Sequence, residues 1–203
     1  LIDYSKLFVT RLNTNGIKLT KDYCERLFNA SLDSIQITFY SYNEETHNRL
    51  VGAAQYGNTV AGIENAMEAG LSVRINTPLC TLNRDYFKTL EFLHEKGVVY
   101  VTCSGLITTG NALGEESESL QLEKEELKEI LAEAVKYCAE NGMEISFTSP
   151  GWIEGEFFDE LNINRPVCGA CLSNMAVTPG GNVVPCQSYL SAEPLGSMLT
   201  DSW

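Results

Sequence analysis

Three thiols crowd the stretch 168–186: Cys168, Cys171 and Cys186. The Cys-x-x-Cys spacing puts the first two in one tight loop. Between the second and the third, Met175–Thr178 and Asn182–Val184 read as short strands around Pro179-Gly180-Gly181, a turn whose glycines tolerate positive φ. That hairpin carries Cys186 back towards the pair. Two ligands from one loop and a third from another is how thiolate metal sites assemble, and sulfur-only ligation suits zinc or an iron–sulfur cluster. A redox dithiol is the competing chemistry, but it calls for a strand-to-helix turn after the Cys-x-x-Cys, where a hairpin stands here. Cys24 and Cys138 fall on apolar helix stripes and read as inert packing thiols. Cys80 and Cys103 lie near strand ends, where a lone thiol more often packs than reacts.

A second set of polar groups depends on how the rest of the chain is laid out. Strand-like runs at Leu7–Leu12, Ser34–Phe39, Leu71–Thr77, Val98–Cys103 and Met143–Thr148 alternate with helical patterns at Thr20–Ala30, Asn58–Ala69, Arg84–Lys96 and about Glu123–Glu140. In the helical stretches apolar positions recur at three and four: Tyr23, Cys24, Leu27 and Phe28; Val60, Ile63 and Met67; Phe87, Leu90, Leu93 and His94; and Leu127, Ile130, Leu131, Ala134, Val135 and Cys138. Such alternation predicts parallel strands joined by right-handed crossovers, hence an α/β class. An open doubly wound sheet and a barrel both satisfy the pattern. Leu71–Thr77 and Val98–Cys103 are nearly continuous apolar runs, as expected of strands covered on both faces.

In either architecture chemistry collects where the strands end, here at Thr14-Asn15-Gly16, 38–41, 76–80 and 103–105. Arg74 and Asn76 alternate with apolar neighbours and share one face of their strand. Towards a barrel interior Arg74 needs an anion; against a helix it snorkels. His47 fits a loop and His94 a helix face, so neither reads as a ligand, and Gly110 with Gly114 is too sparse for a phosphate cradle. After about Ser149 the alternation stops, and Pro150–Asn164 reads as a linker into the smaller thiol-bearing module.

A net charge of −13, from 14 basic and 27 acidic residues, argues against nucleic acid and anionic lipid as partners. No apolar run approaches the length of a membrane span. Seven cysteines, scattered apart from the terminal cluster, fit a reducing cytoplasmic compartment better than a secreted disulfide scaffold.

Two stretches resemble one family. Cys171, Gly181 and Cys186, with nine and four residues between them, resemble the opening of the SPASM (or twitch) auxiliary-cluster module attached to radical S-adenosylmethionine (SAM) enzymes. Pro194–Leu199 followed by Asp201-Ser202-Trp203 resembles that module's continuation, although the further cysteines are absent. Thr14-Asn15-Gly16 resembles the family's TNG turn. Ile35–Thr38 with Glu45–Gly52 resembles its fourth strand and the HxxxxG stretch, and Val73–Thr77 with Asn83 resembles its fifth strand. The molybdenum-cofactor pyranopterin-forming enzymes have a similar triad, here wider by one residue between the second and third thiols.

The resemblance implies a partial TIM-type (β/α) barrel over residues 1–149, with linker and auxiliary module over 150–203. It implies SAM contacts from Asn15, Thr38, Tyr40, Arg74 and Asn76, and a 4Fe-4S cluster on Cys168, Cys171 and Cys186. The implied activity is reductive SAM cleavage, with a 5′-deoxyadenosyl radical abstracting hydrogen from a peptide or protein and a ferredoxin or flavodoxin as reductant. A small-molecule substrate is the alternative, and a non-catalytic barrel with structural zinc is a further one. The family's Cys-x-x-x-Cys-x-x-Cys loop and glycine-rich second-strand motif do not occur in these residues. A chain trimmed at both ends, inactive alone, is the economical expectation; natural loss of the catalytic cluster is its rival.

Overall fold

The computed structural model describes residues 1–5, 7–107, 118–190 and 192–202; the Gly110–Gly114 stretch and Trp203 lie outside the described residues. Five strands, β1 (Arg11–Thr14), β2 (Ser34–Thr38), β3 (Val73–Leu79), β4 (Tyr100–Gly105) and β5 (Glu144–Phe147), form one parallel sheet in the order β1-β2-β3-β4-β5. This order separates the two architectures that the alternation left open. A doubly wound sheet reverses its strand order at a switch point; a strictly consecutive order with right-handed crossovers puts every crossover helix on the same face, as in a barrel. The fold is a partial parallel barrel with a small antiparallel sheet after it.

The helices are α1 (Lys21–Asn29), α2 (Glu44–Val51), α3 (Tyr56–Glu68), α4 (Tyr86–Glu95), α5 (Lys124–Glu140) and α6 (Gly155–Glu160). Thr20 caps α1, accepting from the Tyr23 N–H at 3.3 Å. Asn43 caps α2 in the same way through Thr46, and Gly52 closes it in the left-handed conformation. The buried stripe of α3 is Thr59, Gly62, Ile63 and Ala66, rotated from the expected Val60, Ile63 and Met67 towards small residues. The cause is a close approach: a methyl on Gly62 would overlap the carbonyl oxygen of Gly16, in the loop after β1.

In β3 the buried side chains are Val73, Ile75, Thr77 and Leu79, and the half-buried ones Arg74, Asn76 and Pro78. The expectation that this strand is covered on both faces is therefore corrected: the helices cover one face, and the other is polar. Register aligns that polar face in rows, with Asn13, Gln36, Arg74, Tyr100 and Glu144 in one and Thr38, Asn76, Thr102 and Ser146 in the next.

Three other expectations are corrected. The first strand is Arg11–Thr14 rather than Leu7–Leu12, with Leu7 and Phe8 exposed; pairing with β2 sets its register, and the Thr10 N–H and hydroxyl both donate to Asp33 at its start. His47 lies within α2 and is fully buried rather than in a loop. The stretch 150–164 holds α6, whose Phe158 is buried and stacks on Phe147 of β5 with ring centroids 5.8 Å apart, because a large apolar side chain beside the sheet's last strand gains more by burial than in solvent.

In the terminal part β6 (Ala176–Val177), β7 (Asn182–Val184) and β8 (Gly196–Ser197) make the antiparallel sheet in the order β6-β7-β8. The expected hairpin is present, with Gly181 at φ +84° in its turn. β8 adds a strand that the sequence pattern did not indicate.

Candidate functional site

A cavity of about 820 Å³ opens at the C-terminal ends of β1 to β4. Asn15 enters its wall from a tight turn: the Gly16 N–H donates to the Thr14 hydroxyl at 3.2 Å, and the Asn15 side-chain oxygen accepts from Ile17 at 3.3 Å. The Thr59 hydroxyl of α3 donates to the Asn15 carbonyl at 3.1 Å, fastening the turn to the helix that Gly62 lets in. Thr38 and Tyr40 come from the end of β2, Asn76 and Pro78 from β3, and Ser104 and Gly105 from β4. The Asn76 Oδ1 accepts from the Thr102 hydroxyl at 2.8 Å, leaving its NH₂ for the cavity. Burial, with a smaller effect from Cys80, raises the Tyr40 phenol above its ordinary pKa, so it stays protonated as a donor.

Of the residues singled out from the sequence, Asn15, Thr38, Tyr40 and Asn76 meet at this cavity. Arg74 is one row deeper and outside the wall. It shares the polar face with Asn76, so the helix-facing alternative falls away. Its guanidinium lies 5.1 Å from the centroid of the Tyr100 ring, and its Nε is buried without a hydrogen-bond partner. Among the described residues Arg74 joins no ion pair. An orphaned guanidinium nitrogen on a polar interior face suits a carboxylate.

Two residues that the sequence reading quoted in its resemblance without a site role, His47 and Asn83, stand at this end of the sheet. His47 stands in the cavity wall, with its Nδ1 accepting from the Tyr40 N–H at 3.3 Å. Burial among Phe39, Tyr40 and Tyr56 lowers its pKa from 6.5 to about 4. Asn83, fully buried, accepts from the Cys80 N–H at 2.8 Å and donates to the carbonyls of Tyr40 at 2.8 Å and Pro78 at 3.0 Å, tying the β3–α4 loop to the end of β2. The signals for α2 were present: Asn43 as cap, Glu44 and Glu45 in the first turn, Arg49 in the last and Gly52 after it. An apolar stripe was not, so periodicity passed over it.

Cys168 and Cys171 are exposed and Cys186 half-buried, whereas Cys24, Cys80, Cys103 and Cys138 are buried. Burial pushes the Cys138 thiol up to about 12, and Cys103 higher still, so both are inert. Cys171 holds φ +60°, and its N–H donates to Asn174 at 3.1 Å. Ala176 pairs with Val184, a register whose continuation leads Cys186 towards that loop. Among the described residues no group of three or more His, Cys, Asp or Glu is close enough to hold a metal, so the three thiols are neighbours in topology but not converged. The donor chemistry fits a thiophilic cluster.

Residues 4–93 match the Radical SAM superfamily. An AdoMet-dependent heme synthase from Methanosarcina barkeri is 32% identical over 111 residues, covering 54% of this chain and 31% of that protein. A GTP 3′,8-cyclase from Aliarcobacter butzleri is 27% identical over 199 residues, covering 95% and 59%. Among solved structures, native anSMEcpe with bound AdoMet (that is, SAM) aligns with a TM-score of 0.67 at 13% identity, covering 94% of this chain and 54% of that one. Streptococcus suis SuiB aligns with a TM-score of 0.72 at 15% identity, covering 94% and 46%. The chain thus spans no more than 59% of any of these four proteins. The family match over residues 4–93 and the fold shared beyond them make this chain similar to the radical SAM superfamily proteins.

Proposed function

We propose that this chain forms the later barrel units and the start of the auxiliary-cluster module of a radical SAM enzyme that modifies a peptide or protein. The observation that carries the reading is the likeness to SuiB and anSMEcpe over 94% of the chain, too much to exclude the terminal module. Structures of those two proteins hold a precursor peptide and the Cp18Cys peptide.

SAM would lie along the polar face, with Thr38 and Asn76 on its uncharged groups, Asn15 and Tyr40 at the rim, and Arg74 beneath as partner for its carboxylate. Bound SAM and a reducing cluster supply the radical chemistry, for which this chain's barrel half carries no Cys-x-x-x-Cys-x-x-Cys loop. The barrel's own contribution is to orient SAM and keep water away from it. Cys168, Cys171 and Cys186 would hold an auxiliary cluster.

The 95% coverage by a GTP 3′,8-cyclase favours a second reading, a nucleotide substrate. Arg49 is the one charged residue among the described residues of the cavity wall, sparse provision for a triphosphate. Two measurements test the first reading. Anaerobic reconstitution with iron and sulfide should give an EPR-active cluster that Cys171→Ala loses. Calorimetry should show S-adenosylhomocysteine binding that Arg74→Met weakens at least tenfold. Zinc in preference to iron, or unaltered binding in Arg74→Met, would overturn the corresponding assignment.

A further inference from the structure

The parallel sheet ends at β5, which pairs with β4 alone. In a parallel ladder alternate residues of a strand turn both N–H and C=O to the same neighbour. The Glu144 N–H donates to the Val99 carbonyl at 2.8 Å and the Thr148 N–H to the Cys103 carbonyl at 2.9 Å, so theirs is the parity that faces β4. Ile145 and Phe147 turn their backbone the other way, and among the described residues neither N–H finds an acceptor. Such an edge is a template for one more strand.

A groove of about 330 Å³ runs beside it. Val135 and Cys138 of α5, Ile145 of β5, and Leu161 and Ile163 on the chain leaving α6 give it an apolar lining. The Ile163 N–H donates to the Phe158 carbonyl at 3.0 Å, which fastens that chain to the helix packed on Phe147.

The occupant's chemistry follows from edge and groove together. Open N–H and C=O groups in strand register are matched by an extended main chain, whose alternate side chains fall on opposite faces. Those on the face of Ile145 and Phe147 enter the apolar groove. Those on the opposite face meet Glu144 and Ser146. Glu144 is exposed, joins no ion pair among the described residues, and is the one charged residue among those that line the groove. In its own row Tyr100 stands between it and Arg74. Of the cations next to the lining residues in the chain, Lys136 is outside the groove and Arg165 is paired with Asp159.

We propose that the edge of β5 and this groove form a docking surface for an extended, cationic peptide segment of a partner, apolar and basic residues alternating along it. The surface shares no residue with the cavity at the strand ends, so the proposal does not depend on the SAM-site reading.

The probe is acetyl-Lys-Val-Lys-Val-Lys-Val-amide, with acetyl-Glu-Val-Glu-Val-Glu-Val-amide as its charge-reversed counterpart, added at millimolar concentration to the full-length protein. Hydrogen exchange followed by NMR should find the Ile145 and Phe147 amides fast in the free protein and slowed at least tenfold by the lysine peptide. Glu144→Lys should turn a preference for the lysine peptide into one for the glutamate peptide, each about three- to fivefold, the size of one exposed ion pair. Proline is compatible with an edge strand where the missing N–H faces away from the ladder. Ile145→Pro should therefore keep the parent's circular dichroism and lose peptide binding; a folded variant that still binds overturns the proposal. Amides already slow in the free protein, covered by its own chain or by a second copy, overturn it as well. So do a lysine peptide that leaves both amides fast and a preference unmoved by Glu144→Lys.

Discussion

Asn83→Ala should be among the most damaging single substitutions near the cavity. The side chain is fully buried and makes three hydrogen bonds to backbone, from the Cys80 N–H and to the carbonyls of Tyr40 and Pro78, all between 2.8 and 3.0 Å. Alanine leaves one donor and two acceptors without partners at the junction of β2 and β3. At about 1 to 1.5 kcal/mol each, the loss is roughly 3 to 4 kcal/mol. For a chain of this size that corresponds to a fall in Tm of about 6–16 °C, readable by circular dichroism or calorimetry. Asn83→Asp sharpens the test. It keeps the acceptor for the Cys80 N–H but turns a carboxylate towards two carbonyl oxygens, which raises its folded pKa above the unfolded value of about 3.9. Its deficit relative to the parent should therefore be smallest at low pH and grow as pH rises past about 4. An Asn83→Ala cost under about 1 kcal/mol, or an Asn83→Asp deficit independent of pH, would refute the claim that this side chain fastens the two strand ends.

Two further outcomes follow from burial. His47 has a folded pKa of about 4 against an ordinary 6.5, so the folded state takes up fewer protons than the unfolded; stability present above pH 6.5 should fall as pH drops towards 4, by at most roughly 3 kcal/mol, and comparison with His47→Phe in urea titrations at several pH values should show this slope missing from the variant. Cys168, Cys171 and Cys186 are accessible while Cys24, Cys80, Cys103 and Cys138 are buried, so a thiol reagent should label the first three in the native protein and the other four only on unfolding; rapid native labelling of Cys103 or Cys138 would contradict the assignment of these thiols to the core.

Where local pattern and tertiary packing agree, the sequence was legible. α5 is the clearest case, with Leu127, Ile130, Leu131, Ala134 and Cys138 inward as the three-and-four spacing requires. The pattern misled where packing set the geometry. Leu7, Phe8 and Val9 have the composition of a strand, yet Thr10 and Asp33 fix where pairing with β2 begins. In α3 the apolar side chains were visible, but the buried face follows Gly62 because that glycine alone admits the Gly16 carbonyl. Asn15, Thr38, Tyr40 and Asn76 came from a strand-end rule combined with a resemblance, and they meet at one cavity. His47 and Asn83 entered the sequence reading only within the resemblance and were given no site role, because neither position has a local signature of its own. One depends on a helix without an apolar stripe, the other on two carbonyls, the more distant more than forty residues away in the chain.

One pattern within the strands themselves discriminates between barrel and doubly wound sheet. Gln36 and Thr38 alternate with Ile35 and Ile37, Arg74 and Asn76 with Val73 and Ile75, and Thr102 and Ser104 with Val101 and Cys103. In a doubly wound fold both faces of central strands lie under helices, and this polar set would be pressed against apolar side chains. Arg74 alone would then need a buried anion or incur the desolvation of an unpaired charge, several kcal/mol in effect. A barrel removes the conflict, because its inner face meets a cavity and whatever the cavity binds. The consecutive strand order is thus the topology that this polar alternation requires, and the orphaned Arg74 Nε and His47 Nε2 are the part of the inward polarity that the protein's own groups do not satisfy. Fold and site are two consequences of one pattern: the apolar half of each strand selects the helical layer, and the polar half leaves donors and a guanidinium facing inward for a ligand to satisfy.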